Sequence, residues 1–600
     1  MVNTILEKLN AAQREAVCFD EGPLLILAGA GSGKTRVITH RVAYLIEEKN
    51  IDPERILCIT FTNKAANEMK QRLGEILKKQ SSRPFAGTFH SFCAQVLRRN
   101  GVVINVAPDY VIWDRTDQLA VVKKLLAEAA EDNYSPAGIL SVISQTKNEM
   151  ITPLEYVDFA QGPFQEVVAQ VYLGYQKTLK LTNGLDFDDL LSKTANLFRK
   201  SPSVLEKYQN QYRYLFIDEY QDTNKVQYLL TKLLAQKYGN LCVVGDAAQS
   251  IYSWRGADYR NVTRLEKDFP KITTINLERN YRSTQNILNV AYSVISHNKS
   301  HPILRLWTKQ KSGDKVNLYE ARNGEEEAKF VGREITILKS QGYSLSDIAI
   351  LYRTNAQSRL IEKILLHYNI PYQLVGGFRF YERREIKDIL AFLRFIFNRQ
   401  DSVSEDRIKK IGKRIYRRVV NFAELVDEKK ERPKTIDVLD GVLQRSGYLD
   451  KYSSQKEEDQ SRLENIKEMR SVAMDFDNLS QFLENIALME QEYFPNSNSF
   501  SGLENEDKIT LMTLHSAKGT EFPIIFIVGM EEGLLPHSRS FFHSQEIEEE
   551  RRLCYVGITR AKEKLFLTWA SSRFLFGKKN YNSPSRFLAD ISEDLIKNLK

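Results

Sequence analysis

PLLILAGAGSGKT, Pro23 to Thr35, carries an apolar run into a turn of small residues and ends on a lysine and a threonine. Pro23 to Ala30 has the composition of a strand buried on both faces, and a helical pattern follows it. Small residues let backbone N–H groups close around an anion at a helix N-terminus. In that context Ala28, Gly29, Ala30, Gly31, Ser32 and Gly33 form a phosphate cradle. Lys34 then reaches the β- and γ-phosphates of ATP, and Thr35 ligates Mg²⁺. Ala28 stands where the GxxxxGK pattern has its first glycine, so the strict pattern fails by one position. The plainer reading is a glycine-rich turn.

Outward from this loop, strand-like and helix-like segments alternate. RILCITFT (Arg55 to Thr62), YRYLFIDE (Tyr212 to Glu219) and LCVVGD (Leu241 to Asp246) read as further buried strands around a parallel sheet. Residues 111–182 have no such run; TDQLAVVKKLLAEAAED spaces its apolar residues by three and four, as a helix does. A second α/β block begins near Lys271 and includes SDIAILYRT (Ser346 to Thr354). Residues 380–498 read as helical and strongly charged. Strands resume at DKITLMTLH, PIIFIVGM and KLFLTWA. The expected fold class is α/β, two parallel-sheet domains each interrupted by a mainly helical insertion. The expected pieces are 1–110, 111–182 inserted, 183–275, then 276–379, 380–498 inserted, and 499–600.

The chain has 600 residues, too many for one core, and 85 Lys+Arg against 77 Asp+Glu, a mild excess of +8 that suits a polyanionic partner. Five scattered cysteines form no CxxC pair, which disfavours zinc, an iron–sulfur cluster and disulfides. Met1 to Lys8 has no apolar signal core, and no apolar run approaches about 20 residues, so a soluble cytoplasmic protein is expected.

LFIDEYQDT places Asp218 and Glu219 at the carboxyl end of a strand, where ligand sites of α/β sheets form. Asp218 suits Mg²⁺ binding and Glu219 suits a general base for the attacking water. A helix cap is the plainer reading of such a pair; with the loop it specifies an NTPase. LERNYRS offers Arg282 and YVGITRAKEKL offers Arg560 as arginines for transition-state charge.

With these motifs in order, the chain resembles the UvrD/Rep/PcrA family of superfamily 1 DNA helicases. LNAAQREAV, AGAGSGKT, ITFTNKAA, GTFHSF, DFDDLL, FIDEYQDT, GDAAQSIYSWRGA, LERNYRS, VGGFRFYERREIKD, TLHSAKGTEF and EEERRLCYVGITRAKEKL follow one another along nearly the whole chain. The alanine at position 28 is usual there. The resemblance implies RecA-like motor domains and ATP-driven 3′→5′ translocation on single-stranded DNA with strand separation. It implies further that Gln13 reads the adenine edge, Tyr281 stacks on the base, and Arg36 lies near the nucleotide. Gln249 senses the γ-phosphate, Arg282 and Arg560 are the arginine contacts, and Glu521 binds ribose or couples the domains. The implied substrates are single strands and single-strand/duplex junctions, with repair or replication proteins as partners and the bacterial nucleoid as location.

Phe61, Tyr252, Trp254 and Phe576 also suit a DNA track, since bases stack on such rings for about 1–3 kcal/mol each without sequence preference. Asn63, His90, Arg255 and His515 would hold phosphate or bases. Core packing is the plainer reading of each ring.

Three departures from the family pattern stand out. GDAAQ has Ala247 and Ala248 where acids are common, which leaves Gln249, and Asp246 as support behind Asp218. Thr520 replaces a usual leucine. The insertion at 380–498 is shorter than in familiar members, and its usual glycine-rich hairpin is replaced by RIKKIGKRIYRRVVNF (Arg407 to Phe422). That segment reads as one basic helix with Ile408, Ile411, Ile415, Val419 and Phe422 as its apolar stripe. Lys409, Lys410, Lys413, Arg414, Arg417 and Arg418 occupy its other faces and suit duplex phosphates; a solvated helix packed on its own domain is the alternative. EIEEE (Glu546 to Glu550) reads as the solvated start of a helix. Against the helicase reading stand a translocase that strips proteins from DNA without unwinding, and a DNA-bound scaffold with weak turnover.

Overall fold

The computed structural model describes residues 5–77, 82–131, 133–375, 380–428, 433–452, 457–483, 486, 507–575 and 578–599. The chain divides into two compact units. One comprises Met1–Arg282 with Asn298–Gln310, the other Ser283–His297 with Lys311–Lys600.

The first unit is built on six strands: β1 (Leu24–Ala28), β2 (Ile56–Thr60), β3 (Phe85–Thr88), β4 (Tyr214–Ile217), β5 (Leu241–Gly245) and β6 (Thr273–Leu277). They lie in the order β3-β2-β4-β5-β1-β6, and every pairing is parallel. Every residue of β2, β4 and β5 is buried, as expected of strands covered by helices on both faces. Because the strands run one way, the residues following each of them share the sheet's carboxyl edge. The loop after β1, Phe61 after β2, His90 after β3, Asp218 after β4, Asp246 after β5 and Tyr281 after β6 are all delivered there.

Helices Arg115–Glu128, Pro136–Asn148, Pro153–Phe159 and Pro163–Leu181 enclose a separate small core of Val122, Ile139, Val168, Tyr175 and Leu179. A two-residue parallel bridge, Val111–Ile112 on Gly184–Leu185, ties the two ends of this insertion together. Below it Lys147 Nζ lies 2.7 Å from Asp186 and 3.0 Å from Asp189, all three side chains buried. Tyr175 donates its hydroxyl to Asp186 at 2.9 Å. Burial opposes the charge on Asp189, but Lys147 and Lys193 outweigh it and hold that carboxyl below its usual range. Burial and the charge of Asp189 push Asp186 up to about 6.

The second unit has seven parallel strands: β7 (Val316–Ala321), β8 (Ile348–Tyr352), β9 (Tyr372–Val375), β10 (Ile509–Thr513), β11 (Phe522–Ile527), β12 (Ala561–Ala570) and β13 (Ile596–Leu599). Their order is β9-β10-β8-β11-β12-β7-β13. Here the inserted helices share one continuous core with the sheet: Ile348 and Phe526 belong to the same cluster as Phe392, Val438 and Met469.

The structure corrects three expectations. The strand after Lys271 does not open the second block, because Leu24–Ala28 pairs with Thr273–Leu277 and makes it the edge of the first sheet. The basic segment is two helices, Ser402–Ile411 and Lys413–Asp427, parted at Gly412, a residue whose backbone freedom disfavours a helix interior. Ile408, Val419 and Phe422 are buried, while Ile411 and Ile415 are half-buried against the same core. Finally, the acidic run does start a helix (Ser544–Ile558), but Glu550 is buried in an ion pair with Arg353 at 2.7 Å. Strands β3, β7, β9 and β13 carry no strong apolar alternation, and nothing in their composition announces them. Among the described residues no helix is long and apolar enough to cross a membrane.

Candidate nucleotide site and the aromatic edge beside it

The loop after β1 is pinned by its carbonyl groups. Ser32 Oγ donates to Gly29 O at 2.8 Å, Gln13 Nε2 to Ser32 O at 2.9 Å, and Asn280 Nδ2 to Ala30 O at 2.7 Å. Gly31 has φ +66°, and a Cβ there would stand 2.6 Å from Asn280 Nδ2, so glycine is required on both counts. With these carbonyls engaged from behind, the loop turns donors toward whatever it cradles.

Lys34, the first residue of the helix Lys34–Glu47, has a buried Nζ with no hydrogen-bond partner. Its nearest acid is Glu219, at 3.8 Å. A buried ammonium without hydrogen bonds is costly, and a polyphosphate would satisfy it. Thr35 Oγ1 donates to Asp218 Oδ2 at 3.3 Å. Burial, followed by the charge of Glu219, pushes the Asp218 carboxyl up to about 7. Two acids crowded in this way fit a divalent cation. Among the described residues no group of three or more His, Cys, Asp and Glu could hold a metal ion. Glu219 adopts a left-handed backbone, φ 51°, a conformation that persists where the surroundings impose it.

Gln13 is buried and Arg36 lies in the first turn of the Lys34 helix. Tyr281, 38 % exposed, accepts at its hydroxyl from Asn10 Nδ2 at 2.8 Å and lies 3.5 Å from Gln13 Oε1. Arg282 donates its backbone N–H to Asn280 Oδ1 at 2.7 Å. Two residues that no motif reading singled out complete this corner. The Arg279 guanidinium lies over the Tyr281 ring at 4.8 Å and the Trp307 ring at 5.8 Å. Trp307 is held by two backbone bonds, from Asn280 N to its carbonyl (2.8 Å) and from its own N–H to Glu278 O (3.1 Å). Only the aromatic character of the LRLW segment signalled it.

The turn after β5 is buried, Ala247 and Ala248 included. Asp246 does not support Asp218 there. Its carboxylate accepts from Gln249 Nε2 at 2.6 Å and from Ala248 N at 3.1 Å, within its own turn. A few residues on, Tyr252 stacks parallel to Phe61 with centroids 6.0 Å apart, and Trp254, 51 % exposed, meets Tyr252 edge-on. Asn63 is exposed at the start of the helix Asn63–Ile76. His90, held below its ordinary pKa by burial, meets the half-exposed Phe187 edge-on at 5.8 Å. Phe187 extends the row of rings; DFDDLL had signalled it only as part of a motif. The Arg255 side chain and Phe576 lie outside the described residues.

In the second unit Arg560 is buried. It donates to Val556 O at 2.9 Å, Thr559 Oγ1 at 3.1 Å and Thr520 O at 3.3 Å. Thr520 in turn donates its hydroxyl to Ala517 O at 2.7 Å, a bond leucine could not make. Glu521 pairs with Lys562 at 2.8 Å, and His515, half-buried, follows β10.

A phosphate-type loop, an unsatisfied lysine and paired acids at the carboxyl edge of a parallel sheet define a P-loop NTPase. Residues 9–270 match the UvrD/REP helicase N-terminal domain, and residues 275–453 and 413–572 match the UvrD-like helicase C-terminal domain. The chain is 45 % identical to the ATP-dependent DNA helicase PcrA of Staphylococcus aureus, the match covering 100 % of this chain and 88 % of that protein. It is 44 % identical to the protein of that name from Staphylococcus epidermidis, over 99 % and 88 %. The chain belongs to the UvrD/REP helicase family, enzymes in which ATP hydrolysis drives strand separation.

Proposed function

We propose that this protein is an ATP-dependent DNA helicase that travels 3′→5′ on single-stranded DNA and opens duplex at the junction, in repair or replication restart on the bacterial nucleoid. The observation that carries this reading is the carboxyl edge of the first sheet, where Lys34 and Glu219 follow strands neighbouring those that deliver Phe61, Tyr252 and Trp254. Residues 111–182 and 380–498 are then the insertions of two motor domains.

Lys34 binds the β- and γ-phosphates, Thr35 and Asp218 hold Mg²⁺, and Mg²⁺ supplies charge neutralisation on those phosphates. Glu219 takes the proton of the attacking water, while Gln249 responds to the γ-phosphate. Gln13, Arg36 and Tyr281 hold the base end, with Glu521 toward the ribose. Arg282 and Arg560 neutralise developing charge. Phe61, Tyr252, Trp254 and Phe187 offer faces or edges to unstacked bases; Asn63, His90, Arg255, His515 and Phe576 are further residues assigned to DNA contact.

DNA-stimulated ATPase measured beside unwinding of 3′-tailed and 5′-tailed duplexes tests this. Stimulation with unwinding of the 3′-tailed substrate is expected. Stimulation without unwinding selects the protein-stripping translocase, and no stimulation rejects both motors.

A further inference from the structure

We propose that Gln221 is a positioning residue that makes the placement of Glu219 depend on the turn leading to the aromatic edge, so that DNA on Tyr252 and Trp254 sets the hydrolysis rate. This rests on Glu219 being the base, as proposed above.

Gln221 is fully buried, and its amide is used at both ends. Nε2 donates to Glu219 Oε2 at 2.6 Å, a short bond of the charge-assisted kind, and more weakly to Asp222 Oδ2 at 3.4 Å. Oε1 accepts from the backbone N–H of Asp246 at 2.9 Å. The Gln221 carbonyl also accepts from Ser250 Oγ at 3.2 Å. The amide cannot turn over: its oxygen would then face a carboxylate, and its NH₂ would face an N–H donor. Asp246, in turn, holds Gln249 by the 2.6 Å bond. A displacement of residues 246–250 therefore pulls the amide, and the amide pulls a carboxylate whose backbone is already held at φ 51°. Tyr252 follows that turn directly and is stacked on Phe61. The alanines at 247 and 248 bring no side-chain acceptor that would compete for the Gln221 amide.

The test is the Gln221→Met variant, close in shape but without the amide, assayed for ATPase with and without saturating oligo-dT. KM for ATP and oligo-dT affinity by anisotropy should stay within about twofold, while the ratio of DNA-stimulated to unstimulated kcat falls at least tenfold. A normal ratio overturns the proposal. If Gln221→Met fails to fold, Gly245→Ala gives the second reading, because a Cβ there would stand 2.9 Å from Gln221 Oε1 and displace the amide while leaving it intact. It should lower the same ratio, and an unchanged ratio again overturns the proposal. Glu219→Gln is the control: retained hydrolysis removes the base assignment itself. A dead Glu219→Gln beside a normally stimulated Gln221→Met removes only the link.

Discussion

Lys34 Nζ and Glu219 Oε2 lie 3.8 Å apart across the carboxyl edge of the first sheet, and the ammonium makes no hydrogen bond. The pair brings a phosphate-seeking cation and a basic carboxylate to bear on one small volume. Glu219→Gln should reduce stimulated kcat by about 10²–10⁴, the usual yield of a positioned base, with ATP still bound. Lys34→Ala should lose ATP binding as well. Single-turnover hydrolysis beside nucleotide titration separates the two outcomes.

Asp218 and Thr35 share a proton-mediated contact of 3.3 Å that a divalent ion would replace. Chelation with excess EDTA should stop hydrolysis, and Asp218→Asn should raise the Mg²⁺ concentration needed for half-maximal rate at least tenfold. An unchanged Mg²⁺ titration in Asp218→Asn would remove the aspartate from the metal shell.

Arg279 backs Tyr281, with Trp307 beside it. A cation over an aromatic face is worth about 1 kcal/mol, so Arg279→Ala should raise the KM for ATP roughly fivefold with little change in kcat. A fall in kcat at constant KM would show that the arginine serves the chemical step instead.

Lys410, Lys413, Arg414 and Arg417 are exposed around the break at Gly412. Reversing the charge of Lys410, Lys413 and Arg417 should weaken binding of junction DNA. It should also flatten the slope of log K against log salt by about 0.9 for each DNA phosphate that is no longer neutralised. An unchanged slope would leave these helices with a packing role alone.

Lys147 neutralises two buried carboxylates, Asp186 and Asp189. Removing one partner of a buried ionic group costs about 3–5 kcal/mol because the remaining charge is stranded. Lys147→Ala should therefore lower the first thermal transition by several degrees; a Tm within error of the parent would show that water reaches this cluster.

What the sequence revealed was local. The phosphate loop, the acid pair and the Phe61 and Trp254 rings each lie beside an apolar strand whose composition announces it, so strand and site are read together. Partnerships between distant segments were hidden. Trp307 reaches Arg279 through an excursion of the chain, Gln221 meets Asp246 across neighbouring strands, and Thr273–Leu277 has mixed burial that says nothing of which sheet it joins. Asp246 was misplaced for the same reason: its partners are set by a tight turn, and nothing in residue order aims the carboxylate. Glu550 looked solvated because a run of like charges usually is, yet the arginine that buries it arrives from the end of β8.

The bridge of Val111–Ile112 on Gly184–Leu185 sets the entry and exit of the first insertion side by side. The insertion has its own core and joined ends, yet it is also riveted to the body of the first unit by Lys147 on Asp186 and Asp189, Asn148 on Asp188 and Asn224, and Glu149 on Lys225. Surgery at the bridge would therefore strand Asp186 and Asp189 without their lysine, so trimming this cassette calls for replacing both carboxylates in the same stroke.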